Sequence, residues 1–192
     1  MRNQRGATVL ETVFAMSVAV TATTMAVPFI GGVLDDVTTA AAARYVAGRI
    51  GSARLDAVKR SDAVALRFEA ADGGYRFAAV GDGNGNGVRA ADIQAGVDEQ
   101  LTPFERLEDR FPGVRFELGA GVPDADGRAG TGTDGVRVGT ARILTMSSDG
   151  TATSGTLYIR GRRGQFAVRI LGATGRTRML QYQSGSRSWI SR

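Results

Sequence analysis

From Thr12 through Leu34 the chain runs for 23 residues without a charge, and Glu11 stands immediately before that run. A helix of about 20 apolar residues covers roughly 30 Å of hydrocarbon, so the length predicts a membrane-spanning helix. A carboxylate at the edge of such a segment is costly to bury, which makes Glu11 a functional candidate. Arg2 and Arg5 precede the run, and positive charge in that position orients the N-terminus inward and the remainder outward. The expectation is a single-pass protein of the inner (cytoplasmic) membrane, with a cytoplasmic N-terminus and a periplasmic or extracellular globular part.

Composition limits the chemistry. With 192 residues, the chain holds one domain beside such an anchor. It contains no cysteine and no histidine. Disulfides, thiolate nucleophiles, the usual serine-histidine pairing and the commonest zinc ligands are therefore excluded, and an enzyme is not expected. The net charge of +5 is uneven. Residues 150 to 192 carry eight arginines and no acid, so the first 149 residues sum to −3. A basic end of this kind suits nucleic acid or an anionic surface, and it equally suits a solvated arginine face.

The helical pattern continues beyond the apolar run. Val46, Ile50, Ala53 and Ala57 recur at spacings of four, three and four, opposite Arg49, Ser52, Asp56 and Lys59. Past Ser61 the period becomes two. "AVALRFE" and "YRFAAV" around "DGG" predict a hairpin. Further strands are expected at "VRFEL" from Val114, "VRVGTARIL" from Val136, "TLYIR" from Thr156, "QFAVRIL" from Gln165 and "RTRMLQYQ" from Arg176. Leu157, Ile159, Phe166, Val168, Ile170, Met179 and Leu180 are candidate core positions. The segment 119 to 135 reads as a flexible loop, and its formal GxGxxG at Gly130, Gly132 and Gly135 lacks the strand and helix that a dinucleotide site needs.

The leader "MRNQRG", followed by "ATVLE" and the long apolar helix, resembles the class III signal of type IV pilins and pseudopilins. The resemblance implies cleavage by prepilin peptidase after Gly6 and an N-methylated Ala7, although the family usually carries phenylalanine there. It also places Glu11 fifth after the cut, where the family has its glutamate, and Pro28 where pilins often carry a helix-kinking proline. In such an assembly, the Glu11 carboxylate of one subunit pairs with the free amine on Ala7 of a neighbour. The later strands, with "SSDGTATSGTLYIRGRRGQFAVRILGATGRTRMLQY", resemble the GspH/FimT family of minor pilins and pseudopilins.

The expected fold class is therefore α+β: a long N-terminal transmembrane helix packed on an antiparallel β-sheet or sandwich domain. The division is a leader at 1–6, a helix at 7–60 (transmembrane over 7–34, amphipathic over 35–60) and a β-rich domain at 61–192. The implied function is a structural subunit of a type II secretion pseudopilus or a type IV pilus, with other pilins, prepilin peptidase and the inner membrane as partners.

Two further constellations carry site expectations. In "DGNGNGVRAADI", Asp82, Asn84, Asn86, Gly87 and the Val88 carbonyl follow the first half of an EF-hand-like calcium loop. The twelfth position is Ile93, so Asp92 would have to supply the closing carboxylate. The alternative is a Gly/Asn turn bonding its own backbone. In "GRTR", Arg176 and Arg178 match the pattern associated with DNA binding in FimT-type members. Residues two apart on a strand share a face, with Arg160, Arg162, Arg163 and Arg187 as helpers and Trp189 as a stacking group. DNA capture for uptake is the alternative function.

Overall fold

The computed structural model describes residues 8–128, 132–139 and 141–192, without the side chains of 24–31. Gly6 and Ala7 lie outside the described residues, and Pro28 is described only as backbone within a helix. That helix, α1 (Val9–Arg60), is 52 residues long, about 78 Å at 1.5 Å per residue. Thr8 caps its start, accepting the Glu11 backbone N–H at 3.3 Å on its hydroxyl. Thr8 and Glu11 thus stand in capping-box spacing, and the Glu11 carboxylate sits in the first turn, where the helix dipole favours negative charge. At the other end Lys59 and Arg60 complement the dipole, and Ser61 closes the helix in the left-handed conformation.

The expected transmembrane character does not hold: among the described residues, no helix is long and apolar enough to cross a membrane. Within α1 the described residues Val9–Thr23 are punctuated by Glu11, Thr12, Ser17, Thr21 and Thr23, and Asp35 and Asp36 follow Gly32 closely. The single-pass inner-membrane placement falls with it. What stands of the fold class is a mixture of helix and antiparallel sheets.

The second half of α1 buries Thr39, Ala42, Val46, Ile50, Ala53 and Ala57, a stripe at helical spacing. Two antiparallel sheets receive it. In the first, β1 (Val64–Ala71) and β2 (Gly74–Gly81) form the expected hairpin. Its two-residue turn places Asp72 at φ 41° and Gly73 at φ 79°, as a tight hairpin of type I′ requires. The short strands β3 (Glu99–Gln100) and β4 (Glu105–Arg106) line the far edge of β2. Two short helices flank them, α2 (Ala90–Gln94) before β3 and α3 (Leu107–Arg110) after β4.

The second sheet is built on the chain's last strands. β8 (Gly155–Arg160), β9 (Gln165–Leu171), β10 (Arg176–Gln183) and β11 (Ser188–Ser191) form a meander, and β5 (Arg115–Phe116) and β6 (Val136–Val138) share the free edge of β8. The single strand expected from Val136 divides. Gly139 at φ 50° and Arg142 at φ 53° break it, and β7 (Ile143–Met146) crosses to pair with β1 in the first sheet. The strand expected at Val114 shortens to two paired residues and a bridge from Glu117 to Asp134. There the backbones approach so closely that a Cβ on Gly135 would lie 2.2 Å from the Glu117 nitrogen.

The main core lies where α1 meets the inner faces of both sheets. Phe68, Phe77 and Phe116 form its centre, with Phe116 edge-on to the other two at 5.5 and 5.9 Å between ring centres. Two smaller clusters sit on the outer faces. Ala65, Val80 and Ile143 are covered by Val88 and Ile93 from the 82–98 segment, while Tyr158, Ala167 and Leu180 are covered by Leu118, Val122 and Trp189. Of the anticipated core positions on β10, Met179 points to the main core and Leu180 to the outer cluster, as strand alternation demands.

Candidate functional site

The N-terminal part of α1 exposes large apolar side chains. Val9, Leu10, Val13, Phe14, Met16 and Val18 are between 53% and 82% exposed. The hydroxyls along it do not face outward for bonding. Thr12, Ser17, Thr21 and Thr23 each donate to the carbonyl four residues earlier, at 2.7 to 2.9 Å. Their hydrogen bonds are satisfied within the helix, which leaves an apolar lateral surface. A contiguous exposed surface of this kind marks an interaction site.

Where α1 reaches the domain, Asp35 anchors it. Its carboxylate accepts the backbone N–H groups of Arg162, Arg163 and Gly164 at 2.9, 2.7 and 2.9 Å, in the tight turn between β8 and β9. Burial works to raise this carboxyl, and the three N–H groups outweigh it, holding Asp35 below the ordinary value of 3.8. Gly161 belongs to the same contact: a Cβ there would lie 2.1 Å from the Thr39 hydroxyl oxygen. Further along, Arg49 pairs with Glu105 at 2.7 Å, Tyr45 donates its hydroxyl to Glu105, and Arg54 donates Nε to the Gly150 carbonyl at 2.9 Å. The second half of α1 is thereby fixed on the domain.

Beyond these anchors, the outward side of α1 and the start of β10 enclose an open groove of about 710 Å³. Leu55 and Val58 stand 60% and 49% exposed along it, and the space above Gly48 and Gly51 is empty to 4 Å. Arg54 and Arg176 are its charged groups.

The candidate calcium loop has another set of bonds. Asp82 accepts N–H groups from Asn84, Gly85 and Gly87, and Asn84 accepts from Asn86. Burial works to raise the Asp82 carboxyl, and these N–H groups hold it below its ordinary value. Buried Asp98 closes the segment by accepting from Gly83 and Arg89. Asp92 lies on α2 with its Oδ2 buried and, among the described residues, without a hydrogen bond. Val88 turns its side chain into the small cluster on β1. Among the described residues, no group of three or more acidic, histidine or cysteine side chains comes together to hold a metal ion.

The arginines separate into two groups. Arg176 and Arg178 are exposed on the outer face of β10, and Arg178 lies directly opposite Arg169 of β9. Arg162 and Arg163 sit at the other end of β9, about 20 Å away for a strand of seven residues. Arg160 is occupied in an ion pair with Glu117. Trp189 packs between Tyr158 and Tyr182 and donates its indole N–H to the Pro123 carbonyl, so its ring is a covering group.

Sequence reasoning missed two arginines on the same outer face. Arg137 lies opposite Thr156, which lies opposite Arg169, so one row crosses β6, β8, β9 and β10 and ends at Arg178. Counting alternate residues along each strand would have found them. An open cleft of about 750 Å³ lies along this row, and Asp126, which pairs with Arg169, forms its other wall. In comparisons with known proteins, no protein-family model, no curated protein and no solved structure matches the chain.

Proposed function

We propose that this chain is a structural assembly subunit of the minor pilin or pseudopilin kind, similar to the GspH/FimT group, which builds a filament by packing its N-terminal helix against neighbouring subunits. One observation carries the reading. α1 is a single helix whose second half is fixed to the β-domain, while Val9, Leu10, Val13, Phe14, Met16 and Val18 of its first half are exposed. Such a surface is satisfied by association, and head-to-tail association that does not close makes a filament. No catalytic step is required of it.

Processing tests the reading. The full chain produced together with a prepilin peptidase is expected to lose Met1 through Gly6, and an intact-mass measurement reads that loss directly. A chain that keeps its first six residues under conditions in which a known prepilin is cut would count against the proposal.

A second reading, capture of nucleic acid, is favoured by one feature. Arg169 and Arg178 are like charges directly opposite on adjacent strands, a destabilising arrangement unless an anion is gathered there, and only Arg169 has an acidic partner among the described residues.

A further inference from the structure

The geometry points to the groove between the outer side of α1 and the start of β10 as the docking site for the N-terminal helix of a second copy of this chain. The inference rests on the filament reading and names the surface that receives the helix. Three observations converge on it.

The first is shape. Gly48 and Gly51 leave the groove floor open to 4 Å, and exposed Leu55 and Val58 form an apolar wall. Glycines on a helix surface allow another helix to approach closely, and the exposed aliphatic side chains give it something to cover. The wall on the β10 side is held in place by Arg54, whose Nε reaches the Gly150 carbonyl and passes beside Gly175.

The second is charge. Among the described residues, the groove is lined by Arg54 and Arg176 and by no acid, and Arg176 has no ion pair. The exposed segment Val9–Thr23 carries one ionisable group, Glu11. An incoming helix therefore brings its single negative charge to a groove that offers only positive ones.

The third is reach. Groove and exposed segment lie on the same rod, with Gly48 25 positions beyond Thr23, about 38 Å. They cannot meet within one chain. Two different patches that meet only between copies make a heterologous interface, the type that propagates without closing.

The test places a photo-reactive residue at Leu55 in the full chain, purified in mild detergent, and maps the cross-links by mass spectrometry. Cross-links from Leu55 to Val9–Thr23 of another copy are the expected result. A Cβ on Gly51 would meet no atom within 4 Å, so Gly51→Leu projects its side chain into the groove. It is expected to reduce those cross-links at least tenfold without lowering the melting temperature. The charge reversal Glu11→Arg should weaken the same cross-links, and Arg176→Glu in the same chain should restore them. Self-association that persists with cross-links elsewhere would overturn this docking site and leave the filament reading standing. A full chain that stays monomeric would overturn both.

Discussion

Asp35 of α1 accepts the backbone N–H of Arg163 at 2.7 Å, joining positions 128 apart in the sequence. With Arg162 and Gly164 donating to the same carboxylate, one side chain fixes the level at which the helix meets the second sheet. Replacing Asp35 by alanine leaves three N–H groups of a tight turn without their acceptor. The expected loss is about 1 to 3 kcal/mol, read as a lower midpoint in urea unfolding.

The same contact sets a pH dependence. The folded carboxyl is held below its ordinary value, so its contribution is complete above that value and is lost as the pH falls through the lowered one. The stability gap between the wild type and Asp35→Asn should be constant near neutrality and should close below about pH 4. A gap that opens on acidification would have the wrong sign.

Gly161 tests the packing at this turn. Gly161→Ala forces a Cβ to 2.1 Å from the Thr39 hydroxyl oxygen, and the melting temperature should fall by several degrees. Thr39→Ala removes that oxygen, so the double variant should recover part of the loss. Equal losses in the single and double variants would place the strain elsewhere.

The two groups of arginines make separable predictions. The nucleic-acid reading predicts that Arg169, Arg176 and Arg178 hold the ligand on the outer face. Arg176→Ala/Arg178→Ala should then weaken binding and reduce the steepness of its salt dependence. Arg162→Ala/Arg163→Ala, at the other end of β9, should leave both unchanged. The comparison is a binding titration at two or more salt concentrations.

The loop at Asp82 holds itself together by hydrogen bonds and covers Ala65, Val80 and Ile143. Asp82→Ala should therefore destabilise the protein by about 1 to 2 kcal/mol, and by the same amount in a chelator as in millimolar calcium. A melting temperature that rises with calcium in the wild type and not in the variant would instead establish a metal site.

Much of the fold was written in local patterns. The stripe of Val46, Ile50, Ala53 and Ala57 and the strands at Val64, Gly74, Gly155, Gln165 and Arg176 follow from periods of 3.6 and two, and they appear where those periods place them. The division at Gly139 was not legible, because β6 and β7 are both good strands and only pairing with β8 and β1 assigns them to different sheets. The arginine row was hidden for the same reason: Arg137, Arg169 and Arg178 are distant in sequence and meet through register alone. The cap at the start of α1 was visible in Thr8-Val9-Leu10-Glu11, where the Thr8 hydroxyl accepts the Glu11 backbone N–H. The membrane-spanning expectation came from counting uncharged residues, which ignores how far threonine, serine and the first-turn acid dilute the described segment.

The most direct test of the account is the assembled fraction of the full chain compared with Phe14→Glu/Val18→Glu, two exposed positions one helical turn apart on the projecting helix. Sedimentation of sheared filaments from producing cells gives that fraction, and thermal unfolding of each chain gives the control. The account predicts wild-type chain in the filament pellet, loss of the variant from it and an unchanged melting temperature. Equal incorporation of both chains, or a wild-type chain never found in filaments, would contradict the claim that the exposed helix is what assembles.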